Sequence, residues 1–277
     1  MRSLPAWTAW CLRAVTLGTA LFLAGCAGWG WRPASGPGEA VRPRVVDRQE
    51  WESEKAHLRY GYPSLDGRFV YRPGYVLCAD PQTKNARWIA FSMSATPPPT
   101  PDPKRVLRPD PELLKGERSE TIDYENRAYV AGLLVPETSP AEGPAAMTER
   151  AYLSVRAPLD PSVAASLWPS LLDRVRTIGR GREVRVCVGP VYLGELQWIG
   201  PSRVAVPSHV FAVAQTGSAA DGDLTIAAFM VPNAPYSPIH LDRFAVSVDH
   251  IENLTDLDFL PDLEDGLESA VESQWPT

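Results

Sequence analysis

Histidine is scarce in this chain of 277 residues: His57, His209, His240 and His250 are the only four. Cysteine is as rare, with Cys11, Cys26, Cys78 and Cys187, and no Cys/His spacing matches a zinc site. No Ser/His/Asp set, P-loop or dinucleotide fingerprint stands out. Positive charge is also short. Residues 1–48 hold six arginines against Glu39 and Asp47. That leaves residues 49–277 with 21 of the 27 basic and 31 of the 33 acidic groups, a net of −10. So acidic a body is a poor partner for a phosphate backbone, whose attraction is mainly electrostatic. Proline, at 28 residues, is about twice its usual share of roughly 5%, which predicts long ordered loops. Hydrophobic content of 44% and charge of 22% are ordinary for a globular protein. The length suffices for one or two domains.

The N-terminus reads as an export signal over residues 1–25. Arg2 and Arg13 flank an apolar run, Ala14 to Ala24, too short for the roughly 20 residues that span a bilayer. It closes on Leu23-Ala24-Gly25-Cys26, which resembles the bacterial lipobox, with Cys26 as the lipidated first residue. The alternative is a plain signal whose cysteine is accidental. Acyl chains such as palmitate contribute roughly 0.8 kcal/mol per buried methylene, so several on one cysteine anchor stably. Ala27 rather than Asp follows Cys26, which among Gram-negative lipoproteins implies the outer membrane, facing the periplasm. Residues 26–48, rich in Gly, Pro, Arg and Ala, read as a flexible tether. Residues 49–277 form the body.

Tyr75 to Asp80 and Arg87 to Ser94 are predicted strands, and Asp80-Pro81-Gln82-Thr83-Lys84-Asn85 between them is turn chemistry, so a hairpin is expected. Thr96 to Pro111 carries seven prolines and must run extended, as a surface excursion or a docking ligand. Asp160-Pro161 resembles a helix start. Leu167, Leu171, Leu172 and Val175 make an apolar face at helical spacing, and Pro169 should kink or delay that helix. Val184 to Leu193, Val204 to Phe211 and Leu224 to Pro232 are further strands. Nine acidic and no Lys or Arg residues over 249–272 suggest a solvated helix face. Export permits a disulfide between Cys78 and Cys187; two buried thiols are the alternative.

The stretch from Asp123 to Arg176 carries the most information. Asp123-Tyr124 is followed by Tyr129-Val130-Ala131-Gly132-Leu133-Leu134-Val135-Pro136, then Tyr152-Leu153-Ser154, Ala157-Pro158, Trp168 and Arg176. This resembles, without a gap, the D-Y-x-x-S-G-[FY]-D-R-G-H-L-x-P, Y-L-S-N-x-x-P-Q and N-x-x-x-W-x-x-L-E-x-x-x-R segments of the DNA/RNA non-specific endonuclease family. Cys187-Val188-Gly189-Pro190, Val204 to Phe211 and Val231-Pro232-Asn233-Ala234-Pro235 resemble later family segments, although Ala212 stands where a lysine is usual. The likeness runs from about Tyr60 to Asp265. It implies an α+β fold of the ββα-metal (His-Me finger) type: a mixed, mainly antiparallel sheet flanked by helices.

The resemblance also implies a Mg²⁺-dependent phosphodiesterase, and here the chain departs from it. Leu133 occupies the general-base position, Ala131 that of the arginine in D-R-G-H, Ala164 that of the metal-binding Asn and Leu172 the acidic position. Val155 and Leu159 replace an Asn and a Gln. Phosphodiester hydrolysis needs an activated water, a cation and positive charge at the transition state; these side chains supply none. The expectation is a pseudo-nuclease with no catalytic residues and no cofactor, and with Leu133 and Leu172 buried in one apolar core. Nucleic-acid binding is doubtful, and an envelope protein partner is open. Arg174, Arg176, Arg180 and Arg182 are either residual phosphate contacts or a solvated helix end. His250 with Asp249 or Glu252 is a weak metal candidate. The alternatives are a metal-dependent endonuclease with a relocated base, for which Tyr124 and Tyr129 are poor candidates, and nucleic-acid binding without cleavage.

Overall fold

The computed structural model describes residues 48–94, 106–125, 128–136, 145, 148–236, 240–264 and 266. Cys26, the signal, most of the tether and the proline run at 96–105 lie outside them. The chain divides into two units, 1–39 and 40–277; the second holds every described residue.

Strands β1 (Arg68–Arg72), β2 (Tyr75–Asp80), β3 (Asn85–Met93), β6 (Val184–Val191), β9 (His209–Thr216), β10 (Thr225–Pro232) and β11 (Ala245–Val246) form a seven-stranded sheet in the order β1-β2-β3-β6-β9-β10-β11. Its pairings are antiparallel, and the parallel contact among the described residues is an isolated bridge between Arg108 and Tyr152. The expected β2–β3 hairpin forms. Asp80 Oδ1 accepts from Gln82 N at 2.8 Å and Oδ2 from Thr83 Oγ1 at 2.9 Å, while Lys84 turns back at φ 63°.

Both sheet faces are covered, which is why the central strands are apolar nearly throughout. On one face Leu77, Ile89, Phe91, Val186 and Val188 pack with Trp168, Leu171, Leu172 and Val175 of α2 (Trp168–Ile178). On the other, Trp88, Ala90, Cys187, Phe211 and Val213 pack with Val248 and Ile251 of α3 (Val248–Thr255) and with Phe259 and Leu260. Helix α1 (Arg48–His57) packs beside β1–β3.

Between β3 and β6 the chain leaves the sheet. This excursion carries the β4 (Val130–Leu133) and β5 (Arg156–Leu159) hairpin and then α2, packed on the first core. Pro169 is absorbed by a π-turn over Val163–Leu167, where Trp168 N bonds Val163 O. A proline lacks the N–H that regular helical bonding requires, and the wider turn reaches past it. Val204 to Phe211, expected as one strand, is broken at Pro207-Ser208 into β8 (Val204–Val206) and β9; β8 pairs with β7 (Gln197–Ile199).

Of the acidic stretch, Asp249 and Glu252 lie on α3, which ends at Thr255 with Asp256 left-handed at φ 54°; residues 256–264 turn rather than continue the helix, and 265 and 267–272 lie outside the described residues. Two of these acids hold the turns that follow, Glu252 accepting from Phe259 N at 2.9 Å and Asp258 from Leu260 N at 3.2 Å. Cys78 and Cys187 are buried free thiols. Cys78 pairs with Trp88 and Cys187 with Ala90, so β3 separates them. Two strand spacings, about 9–10 Å, exceed a disulfide's reach of about 7 Å.

Candidate functional site

The β4–β5 hairpin and the start of α2 meet as the resemblance requires, and their scaffold residues explain themselves physically. Trp168 is fully buried, and its indole N–H donates to the Leu134 carbonyl at 3.0 Å, so the helix is pinned to the end of β4. Leu134 N in turn donates to Val155 O at 3.0 Å. Gly132 faces Leu159, whose Cδ1 would stand 2.5 Å and Cβ 2.9 Å from an added Cβ, so the Leu159 side chain packs where any larger residue would stand. Asp123 is fully buried and accepts from Glu120 N at 2.7 Å and Ser202 N at 2.8 Å, tying the excursion to the β7–β8 hairpin. Asn233 joins three segments, donating to Pro158 O and Pro207 O at 3.0 and 2.9 Å and accepting from Asp160 N at 2.7 Å.

The four positions of chemical interest lie on this scaffold. Leu172 is 4% exposed and belongs to the first core. Ala164, on the π-turn, and Leu133, at the end of β4, are half-buried against the same core. Leu133 therefore departs from the expectation of full burial: it ends an edge strand of a two-stranded sheet, which covers one side only. Ala131 is half-buried, and its carbonyl accepts from Arg156 at 2.8 Å. Arg156 also donates to Arg150 O at 2.9 Å, so its guanidinium clamps the hairpin. Val155 and Leu159 are buried. None of these side chains offers an oxygen or nitrogen to a cation, so they do not fit the Mg²⁺ that the resemblance implies.

The arginines divide. Arg176 is buried and donates to Ser94 O at 2.7 Å. Arg174 pairs with Asp242 at 3.3 Å, and Arg182 pairs with Asp223. Arg180 sits exposed at φ 48° just past the helix. Arg174, Arg180 and Arg182 form a solvated helix end, whereas Arg176 is structural. Of the metal candidates near His250, Glu252 is turned to Phe259 N, and no group of three His, Cys, Asp or Glu suited to a metal occurs among the described residues. Burial pushes the Tyr124 hydroxyl well above its ordinary range, which removes it as a base. His209 is half-buried, with Nδ1 3.1 Å from Ser208 Oγ.

One buried constellation carries little sequence signal. Asp110 has a fully covered side chain and binds Arg72 at 2.9 Å and Ser154 Oγ at 2.6 Å. Arg72 and Arg108 flank the Tyr152 ring at 5.1 and 5.0 Å. Beside them burial raises the carboxyls of Glu112 and Glu149 above the usual range. This cluster ties the excursion to Arg72 at the end of β1. Its only mark in the sequence is an aspartate between Pro109 and Pro111.

A mainly antiparallel sheet with a strand-hairpin and helix docked on one face defines the ββα-metal nuclease class. Residues 53–266 match the DNA/RNA non-specific endonuclease family, and the chain belongs to that family. It is 31% identical over 219 residues to human mitochondrial endonuclease G, an alignment covering 74% of this chain and 73% of that protein. It is 23% identical over 239 residues to a nuclease of Nostoc, covering 80% and 86%. In fold it matches a chain of the crystal structure of the EndoG/EndoGI complex, with a TM-score of 0.68, 23% identity and coverage of 80% and 95%.

Proposed function

We propose that the chain is a membrane-anchored lipoprotein whose endonuclease-like domain has lost catalysis and serves as a binding or structural module of the bacterial envelope. The observation that carries this reading is the packing of Leu172 into the main core with Leu133 and Ala164 against it. A general base and a metal ligand would be needed at these places, and aliphatic side chains stand there. Losing a general base alone typically costs about 10²–10⁴ in rate. The deciding experiment is cleavage of plasmid DNA and of RNA by the purified protein with Mg²⁺ or Mn²⁺, beside the Leu133→His, Ala164→Asn double variant. No turnover above background is expected from either; clear wild-type turnover overturns the reading.

The second reading is a metal-dependent endonuclease with a relocated active site. Membership of a family whose relatives are named nucleases favours it, and the same assay separates the two. The anchor is inferred from Leu23-Ala24-Gly25-Cys26. Cys26 would carry the lipid, residues 26–48 would form the tether, and the domain would sit at the outer membrane facing the periplasm. Labelled palmitate should enter the wild type and not Cys26→Ser, and the variant should leave the membrane fraction. Equal labelling of both would remove the anchor.

A further inference from the structure

Away from the β4–β5 hairpin, a cavity of about 180 Å³ opens where the β2–β3 turn, the end of β6 and the last turn of α3 meet. At about 30 Å³ per water, it has room for about six waters, the scale of a small organic molecule. Its wall is of two kinds. Val191, Leu254 and Leu257 are apolar; Asp80, Thr83, Tyr192 and Arg87 are polar.

Three of the polar groups are already engaged. Asp80 is held at both oxygens by the turn. Thr83 donates to Asp80, and the Tyr192 hydroxyl accepts from Asn85 Nδ2 at 2.7 Å. Arg87 differs. Among the described residues its guanidinium has neither an ion-pair nor a hydrogen-bond partner. It is half-buried, where an unmatched cation is costly.

Local backbone geometry puts Arg87 there. The β2–β3 register slips between Cys78 and Ala79, so that Trp88 pairs with Cys78 and Ala86 with Ala79, and Arg87 is the unpaired residue. A bulge of this kind re-aims one side chain out of the alternation. Gly189 on β6 accommodates it: an added Cβ there would stand 2.6 Å from the Arg87 carbonyl oxygen.

An arginine fork is matched to a carboxylate or a phosphate. The surroundings choose between them. Asp80 and the C-terminal, negative end of α3 line the same wall, and Asp256 and Asp258 follow that helix. This field disfavours a dianion. We propose that the cavity binds a small monocarboxylate with an apolar body, its carboxylate on Arg87 and its body against Leu254 and Leu257.

The test is titration of the isotope-labelled full chain with benzoate, its neutral isostere benzamide, and inorganic phosphate, followed by NMR. Benzoate should shift amides of Asp80 to Arg87, Tyr192 and Leu254 to Leu257, and should bind about tenfold or more tighter than benzamide or phosphate, the value of one charged bidentate contact. Arg87→Gln should lose that preference, and Arg87→Lys should keep part of it. Equal binding of benzoate and benzamide, tighter binding of phosphate, unchanged binding by Arg87→Gln, or shifts elsewhere in the molecule would each overturn the proposal. Should Arg87→Gln fail to fold, the benzoate–benzamide comparison on the wild type still decides.

Discussion

At the scale of single residues, Leu172 and Leu133 do different things despite sharing a side chain. Leu172 is enclosed by the main core, whereas Leu133 caps it from an edge. Leu172→Glu should therefore cost about 3–5 kcal/mol, the penalty of an unpaired buried charge. Leu133→His should cost only about 1 kcal/mol, because its ring can turn to water. Urea unfolding of the two variants checks this, and equal costs would mean that the two sites are equally enclosed. The sequence puts the two leucines on this scaffold through the register of Asp123, Gly132 and Trp168. Their exposures were not legible, since burial depends on what the β4–β5 hairpin leaves uncovered. Asp110 was hidden for a related reason: its partners, Arg72 and Ser154, are 38 and 44 residues away.

At the scale of elements, strands with strong β-branched and aromatic runs were readable, including the β2–β3 hairpin through its Asp-Pro turn. What failed to show were breaks and terminations set by tertiary contacts. Pro207-Ser208 splits β8 from β9, where Ser208 bonds Val191 O and Leu193 N. The acidic stretch read as one helix by charge pattern alone, yet over 256–264 the chain turns and Asp258 N donates to Pro63 O. Helix α1 shows a further dependence on distant residues. Its last residue, His57, is buried, with Nε2 3.0 Å from Pro73 O and Nδ1 3.4 Å from Ser92 Oγ. Burial lowers its pKa below the ordinary value; Arg150 and Arg185 push the same way, and Glu183 and the Pro73 carbonyl oppose them. The unfolded chain thus holds the His57 proton more tightly than the folded one. This contribution to stability is complete above a pH of about 6.5 and is lost as pH falls through the folded pKa. Glu112 and Glu149, raised by burial, act in the opposite sense, and His209 in the same sense. His57→Gln isolates this contribution. Between about pH 7.5 and 5.5 the wild-type melting temperature should fall further than the variant's, and parallel curves would show that His57 is not the group responsible.

At the scale of the whole molecule, fold and surface charge point in different directions. The fold is that of nucleases, yet residues 49–277 carry a net charge of −10. Two of the basic side chains that could face a phosphate, Arg174 and Arg182, are paired to Asp242 and Asp223. A third, Arg176, is spent on Ser94 O inside the fold. Binding to a duplex releases counterions in proportion to the phosphates neutralised, with a slope of about −0.9 per contact in log affinity against log salt. Among the described residues Arg180 is the remaining unpaired cation of that cluster, so the protein has little to release. Fluorescence anisotropy with a labelled duplex should show no measurable complex at about 50 mM salt, a concentration at which phosphate-binding proteins are favoured. Lowering the salt further should not reveal a slope of several contacts. If binding does appear and weakens steeply with salt, the acidic body is not repelling the backbone, and the arginines beyond α2 become the place to look. Arg174→Ala and Arg180→Ala would then each flatten the slope by about one contact, and nucleic-acid binding without cleavage would replace the structural role proposed for this domain.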